Sequence, residues 1–257
     1  MCDRRAMAWK KMSDLEYYYS AKYSAEVDGM VEGDGNWLPI YHVAGRSHAY
    51  SPVITSRDPG KIQLFSCGLI PHTMPSLAAA LERRKITTMC RSEEMYEKDS
   101  YKILANKGKR CLIPSSGYFE YQWQDEEGKR KIPYYIYLYG REFFSIGGLY
   151  SNWVDPVSKR AIPTFSVCTT EANLFTAKIH NHGKRMPVIL LNREAEKAWL
   201  DPALSKQDVL ALCKPIPSSL MVAHTVSKTL TSKVNNVPDA ILPYNYPGVE
   251  KVLALAL

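Results

Sequence analysis

The sequence predicts an α+β protein, and three of its features lead to that prediction. The middle of the chain is rich in strand-like segments separated by polar turns, which is typical of an antiparallel meander. Segments with helical composition and capping residues lie before, between and after these strands. The 257 residues, 46% of them hydrophobic, can bury a sizeable core, and no repeat or linker divides the chain. We therefore expect one domain over residues 1–257, with helices covering the sheet.

Capping residues and apolar spacing predict the helices. The capping-box pattern Ser13-Asp14-Leu15-Glu16 predicts that a helix follows it, and the alanine and leucine content of the segment from Leu77 favours a second. The remaining helices are predicted from composition and apolar periodicity. The predicted helices cover residues 17–26, 77–85, 92–103, 171–178, 193–200 and 205–212.

Short runs of β-branched and aromatic residues bounded by Gly, Pro, Asn and Ser predict the strands. The charged segment 124–131 contains a glycine and predicts a hairpin loop. The predicted strands cover residues 41–43, 53–55, 62–69, 111–113, 118–123, 133–138, 143–149, 164–169 and 188–190.

Charge and cysteine content limit the classes of function. The net charge of +7 and the pI near 9.0 are compatible with a polyanionic partner such as nucleic acid, and equally with a merely soluble basic protein. The six cysteines show no CxxC pair and no zinc-type His/Cys spacing, so we expect reduced thiols, no metal and no cofactor. The N-terminus has no apolar core of a signal peptide, and no segment reaches the length of a membrane span. We expect a monomeric, cytoplasmic protein.

Cys2 is the most informative residue of the N-terminus. Removal of Met1 would place a free thiol and a free α-amine on adjacent carbon atoms, which makes a 1,2-aminothiol. Such a group condenses with an aldehyde to an imine, and the thiol then closes a five-membered thiazolidine ring. The alternative is that Cys2 is an incidental residue of a frayed terminus.

Other polar residues stand beside apolar strands. Glu120 follows two aromatic residues, where its carboxyl could serve as a general acid or base, or could simply face solvent. His180 and His182 flank Asn181 in a turn before an apolar strand, where a histidine could move a proton or be merely exposed. Arg91 and Arg185 could bind phosphates or be solvated surface residues.

Five segments follow one another along the chain in a recognisable order. They are Met1-Cys2 with Arg4, Gly68-Leu69-Ile70-Pro71, Arg91-Ser92-Glu93, Pro114-Ser115-Ser116-Gly117-Tyr118-Phe119-Glu120, and Ile179-His180 with Arg185-Met186-Pro187. Together they resemble the SRAP family of SOS-response-associated peptidases, and the resemblance spans almost the whole chain. It implies a single α+β domain with a curved, mainly antiparallel, barrel-like sheet, flanking helices and a basic groove that holds single-stranded DNA containing an abasic site.

The resemblance also implies roles for particular residues. Cys2 matches the nucleophile that links to the opened deoxyribose, Glu120 the catalytic glutamate, and His180 the histidine that assists ring opening. The protein would associate with the nucleoid when it is bound to DNA. The positions that would contact the DNA are Arg4, Met89, Arg91 and Arg185.

The sequence departs from the family pattern at four places. Met89 stands where the family usually has asparagine, Cys67 where it commonly has tryptophan, and Asp3 where glycine is common. His180 and Arg185 are also further apart than in the family pattern, so His182 is an alternative for the proton-transfer role. Two other functions stay open: a non-covalent single-stranded-DNA-binding module, and a thiol peptidase or autopeptidase that removes its own leader residue.

Overall fold

The computed structural model describes residues 3–24, 37–229, 236–249 and 252–254. Its helices are α1 (Met12–Tyr19), α2 (Leu77–Arg84), α3 (Lys102–Asn106), α4 (Leu174–Ile179), α5 (Arg193–Leu200) and α6 (Lys206–Leu212). Its strands are β1 (Arg4–Met7), β2 (Lys22–Tyr23), β3 (Ile40–Ala44), β4 (Tyr50–Thr55), β5 (Lys61–Cys67), β6 (Met89–Arg91), β7 (Arg110–Ser115), β8 (Gly117–Trp123), β9 (Lys131–Leu138), β10 (Phe144–Val154), β11 (Ala161–Glu171), β12 (Arg185–Pro187), β13 (Ile189–Leu190), β14 (Met221–Thr225) and β15 (Val252–Ala254).

Five strands close into a barrel-like ring. β4 pairs with β5 and β7, β7 with β10, and β10 with β11, all antiparallel, and a parallel pairing of β11 with β5 completes the circle. The short strands β6 and β12 both pair with β11. The ring therefore has no free edge along these pairings, which protects it from edge-to-edge association. The predicted α+β class with a curved, mainly antiparallel, barrel-like sheet is confirmed.

A second sheet lies against the ring. Its six strands follow the order β15-β14-β9-β8-β1-β3, and every neighbouring pair is antiparallel. β8 lies inside this sheet, with β1 on one side and β9 on the other. The N-terminal strand is thus held next to the strand that carries Glu120.

The predicted meander is only partly right. β8 and β9 do form a hairpin, but β7 and β8 do not, because the chain leaves the ring at Ser115 and enters the second sheet at Gly117. Ser116 makes the crossing: its N–H donates to the Ala6 carbonyl (2.9 Å), so its backbone bonds to the β1 segment. The strand is consequently paired with the N-terminus and not with its predecessor in the chain.

The core fills the ring and the space between the two sheets. One cluster joins inward-facing ring residues such as Phe65, Ile113 and Phe165 to Tyr118 of β8 and Phe175 of α4. A second cluster packs α1, α5 and α6 against the outer surface of the ring. This packing places β8 with one face toward the ring and α4.

The first helix differs from the prediction. α1 begins at Met12, five residues before the predicted start, and Ser13 is not its cap. Met12, Leu15 and Tyr19 are buried, so the apolar face that packs on the ring sets the helix and overrides the capping pattern. Ser20 ends the helix in the left-handed conformation (φ 52°). Part of the predicted 17–26 helix lies outside the described residues.

Two other predicted helices are also corrected. The 92–103 segment forms a 3₁₀ turn at Ser92–Glu94 and the short α3, because Met95 and Tyr101 are both buried and would lie about 120° apart on one helix. The 171–178 helix starts late, since Asn173 caps α4 by accepting a bond from the Thr176 N–H (2.8 Å) while Glu171 is still in β11.

The other elements are confirmed, with ends shifted by a few residues. α5 has the predicted bounds, and α6 follows its cap residue Ser205, which accepts a bond from the Asp208 N–H (3.1 Å). The charged 124–131 segment is the loop of the β8–β9 hairpin, with Lys131 already in β9. Within the part of the chain that the structure describes, no helix is long and apolar enough to cross a bilayer.

Candidate functional site

Glu120 lies at the centre of β8 on the face that points toward the ring and α4. Alternation along the strand puts Tyr118 on the same face, where its hydroxyl hydrogen-bonds the Thr176 hydroxyl (3.2 Å), and Phe119 on the opposite face, against Tyr135. Glu120 is completely buried (0% exposed). A carboxyl at this depth is retained only where it has polar partners.

His180 supplies such a partner. It follows the last residue of α4, and its Nδ1 lies 3.6 Å from the Glu120 Oε1. Nδ1 also lies 2.9 Å from the Arg185 carbonyl oxygen and 3.3 Å from the Arg185 backbone nitrogen, so the backbone of Arg185 holds the same edge of the ring. The side of the ring that carries Nε2 packs against Gly183. The structure therefore brings the predicted glutamate and histidine into contact.

The first described residues of the chain lie beside this pair. Arg5 of β1 is paired with Tyr118 of β8, and the carbonyl of Asp3 accepts a bond from the Gly45 N–H (2.7 Å). Asp3 is 3% exposed, and burial raises the pKa of its carboxyl, with the nearby Glu120 adding to the increase and Arg4 opposing it. Cys2 precedes Asp3 but lies outside the described residues.

The contacts of Ser116 and Gly117 show why the Pro-Ser-Ser-Gly segment contains small residues. The Ser116 hydroxyl accepts from the Ala8 N–H (2.9 Å), which fastens the end of β1. A Cβ atom on Gly117 would collide with the ring of Tyr135, so only glycine allows that ring to lie across the strand. Ser116 thus supports the pairing of β1 with β8, and Gly117 allows Tyr135 of β9 to pack on β8.

A cavity of about 480 Å³ opens next to His180. Its lining includes basic residues and one carboxylate, Glu94, which agrees with the expected basic character of the groove. Four predicted site residues meet in it: Met89, Arg91, His180 and Arg185. Glu120 and Arg4 are not among its lining residues.

The two predicted phosphate-binding arginines of the cavity differ in their surroundings. Arg91 has a 60% exposed side chain and lies 3.6 Å from Glu94. Arg185 is held by Glu93, which accepts from both of its terminal nitrogens, and by the Thr169 carbonyl (2.8 Å). Although burial raises the pKa of Glu93, the bonds from Arg185 bring that pKa below its ordinary value. Arg185 therefore joins the segment of Glu93 to β11 and β12.

Arg4 lies on the opposite face of the second sheet from Glu120, the face that carries Tyr121. Its guanidinium donates to His42 Nε2 (3.1 Å) and lies 5.8 Å from the ring centre of Tyr121. Burial, together with the charge of Arg4, lowers the pKa of His42 to about 4, so this histidine stays neutral and keeps accepting near neutral pH.

Met89 and Cys67 are placed differently with respect to the cavity. Met89 lines it with a half-buried thioether, whereas its carbonyl accepts from the Tyr101 hydroxyl (2.8 Å). Cys67 is 1% exposed and belongs to the core cluster of the ring, and burial raises the pKa of its thiol to about 11. Among the described residues, no group of three or more His, Cys, Asp or Glu could hold a metal ion.

His182, the alternative to His180, has another contact. Its ring stacks on the indole of Trp123, with centroids 3.8 Å apart and planes 3° from parallel. Trp123 also contacts Asn181. The sequence did not indicate a role for either residue, because neither residue type indicates chemistry by itself. His180 is the histidine that contacts Glu120.

A buried carboxyl and an imidazole in contact can pass a proton between them, and the site offers this pair beside the first residues of the chain. The fold and the site define a class of α+β proteins with a barrel-like sheet and a Glu–His pair beside the N-terminal strand. Residues 1–237 match the family model described as SOS response associated peptidase (SRAP), so the chain belongs to the SRAP family.

Individual relatives agree with this assignment. The chain is 32% identical over 210 residues to the "Abasic site processing protein YoqW" of Bacillus subtilis, a match that covers 81% of this chain and 88% of that protein. It is also 32% identical over 238 residues to the "Abasic site processing protein HMCES" of Xenopus tropicalis, covering 82% and 68%. A crystal structure of a Bacteroides thetaiotaomicron protein superposes with a TM-score of 0.80 and 34% identity, covering 93% and 98%.

Proposed function

We propose that this protein processes abasic sites by forming a covalent link to them through Cys2. The observation that carries the proposal is the contact of the buried Glu120 with His180, next to the segment that directly follows Cys2. The relatives named as abasic site processing proteins support the same substrate. The proposal requires removal of Met1, because a retained methionine would block the α-amine.

The reaction uses the open aldehyde form of the abasic deoxyribose. The α-amine of Cys2 adds to the C1′ carbonyl, the carbinolamine loses one water, and the thiol adds to the imine carbon while its proton moves to nitrogen. The product is a thiazolidine, and one water is the only other product. We assign ring opening to proton transfer by His180, and the proton movements of the dehydration to Glu120.

The DNA is held by charge. Arg91 is exposed in the cavity and Arg4 is held beside β8, so we propose that both contact phosphates flanking the lesion. Arg185, already bonded to Glu93, contributes positive charge to the same wall, and Met89 packs against the sugar. We expect a monomer that binds single-stranded DNA in the cytoplasm, associated with the nucleoid, with an affinity that falls as salt rises.

The test combines protein of verified mass, lacking Met1, with a single-stranded oligonucleotide that carries one abasic site. We expect a denaturant-resistant species whose mass is that of protein plus oligonucleotide minus one water. Cys2→Ala should abolish it, and an undamaged oligonucleotide should give none. Salt-dependent binding without any adduct would overturn the covalent mechanism and favour a binding module.

A further inference from the structure

The segment between His180 and Arg185 is fastened to β8 by a side chain that the proposed chemistry does not use. The Asn181 Oδ1 accepts from the Trp123 N–H (2.9 Å), and its Nδ2 donates to the Trp123 carbonyl (2.9 Å). One side-chain amide thus bonds both the N–H and the carbonyl of Trp123 at the end of β8, as a residue of a neighbouring strand would. His182 adds its stacking contact with the Trp123 ring.

Trp123 is itself held in place from its own hairpin. The Nζ of Lys131 lies 4.5 Å from the centre of its ring, and Gly128 packs so closely on it that a Cβ atom there would come within 2.6 Å of the indole. Trp123 therefore gives the segment a rigid anchor.

A second contact ties the same strand to the end of α4. The Gln122 Nε2 donates to the Lys178 carbonyl (3.0 Å), two residues before His180. The chain is consequently bonded to β8 on both sides of His180: the Lys178 carbonyl accepts from the Gln122 side chain, and the Asn181 side chain bonds to the Trp123 backbone.

The last residue of the turn is also hydrogen-bonded to His180. The Lys184 N–H donates to the His180 carbonyl (2.7 Å), and Lys184 adopts the left-handed conformation (φ 45°) that returns the chain to β12. Because β8 also carries Glu120, three residues before Trp123, the contacts that fix the His180 backbone and the carboxyl that faces its ring belong to one strand.

We propose that Asn181 is a positioning residue that sets the place of the His180 ring relative to the Glu120 carboxyl. The wider spacing of His180 and Arg185 is then compensated by a fastening to β8. Without the carboxamide, the 180–184 turn loses both of its side-chain bonds to the strand, and the ring samples positions away from Glu120. The inference rests on the proposed function for its kinetic consequence, but not for its structural one.

The test uses Asn181→Ala, with Asn106→Ala as the matched control. Asn106 is also exposed, and its side-chain amide also donates to a backbone carbonyl, that of Lys102 (2.7 Å). It lies at the end of α3 and not at the site. Circular dichroism and melting curves verify that both variants are folded.

The first readout needs no DNA. Nitrogen-15 NMR of the histidine rings, assigned with a His180→Asn variant, should show a single set of ring signals for His180 in the unmodified protein, because its ring is held in one position. We expect averaged ring signals for His180 in Asn181→Ala and unchanged signals in Asn106→Ala. Unchanged His180 signals in Asn181→Ala would overturn the proposal.

The second readout is the rate of adduct formation with the abasic oligonucleotide. We expect Asn181→Ala to lower the rate at saturating DNA about tenfold, as a small displacement of a catalytic group does, with the half-saturating concentration within about twofold. A loss of stability alone would reduce the amount of active protein and not this rate. A rate within twofold of the unmodified protein would also overturn the proposal. If the unmodified protein forms no adduct, the proposed function fails, while the NMR comparison still decides the role of Asn181.

Discussion

Gly183→Ala is the substitution that tests most directly whether the position of the His180 ring matters. Gly183 lies in the turn that follows His180, and a Cβ atom at this residue would come within 2.5 Å of the His180 Nε2 and 2.8 Å of its Cε1. No positive φ is required at Gly183, so alanine acts here through the space that its methyl group occupies.

The size of the effect follows from these distances. Ordinary van der Waals contact begins at 3.4 Å, so the ring has to move away from residue 183 by roughly 1 Å. A displacement of about 1 Å at a catalytic group can cost about 100-fold in rate. Because residue 183 is exposed, we expect a loss of stability below about 1 kcal/mol.

The assay is single-turnover formation of the denaturant-resistant adduct at saturating abasic oligonucleotide. We expect the rate of Gly183→Ala to fall between about tenfold and 100-fold, with unchanged affinity for an undamaged oligonucleotide. Gly60→Ala is the control, since a Cβ atom at Gly60 meets nothing within 4 Å. A Gly183→Ala protein that reacts as fast as the control would refute the assignment of His180 to the chemistry.

Three further predictions concern the carboxyls and thiols. Glu120→Gln should slow adduct formation at least 100-fold in the same assay without weakening the binding of undamaged DNA, and an unchanged rate would remove Glu120 from the mechanism. Asp3→Asn should raise the melting temperature at pH 7: burial raises the pKa of the Asp3 carboxyl, so the cost of ionising it in the folded state grows as pH rises above its ordinary value of 3.8. That gain should vanish below about pH 3.8, and an equal gain at all pH values would contradict it. An aromatic disulfide reagent should modify at most one of the six thiols quickly in the native protein and all six in denaturant, and the fast reaction should disappear in Cys2→Ala. The cysteines expected to react slowly, all buried, are Cys67, Cys90, Cys111, Cys168 and Cys213.

Local signals made much of the fold predictable. α5 has its predicted bounds because Asn192 caps it, accepting from the Ala195 N–H (2.8 Å), and because Glu196 and Trp199 on one face are buried. β8 was predicted from its run of aromatic residues between polar turns. By contrast, the crossing at Ser116 depends on pairing with β1, more than 100 residues earlier in the chain, which no local pattern encodes.

The candidate site was predictable only where a motif marked it. Glu120 and His180 come from segments that resemble the family, and the structure brings them together. The fastening of Asn181 to Trp123 joins residues 58 apart in sequence through backbone groups that every residue has. Nothing in the sequence distinguishes such an asparagine from a solvated turn residue, so this contact could be found only in the structure.

Strand β8 determines the geometry of the site from both of its ends. At its start it pairs with β1 and so brings the N-terminal residues to the second sheet, and at its end Trp123 holds the turn of Asn181. Between these points Glu120 faces His180. A substitution in the cavity wall, such as one at Arg91, removes one proposed contact to DNA, whereas a distortion of β8 displaces the N-terminus, the carboxyl and the imidazole relative to one another. Since the proposed mechanism needs all three groups at one sugar, we expect loss of strand geometry to reduce the rate more than loss of any single phosphate contact.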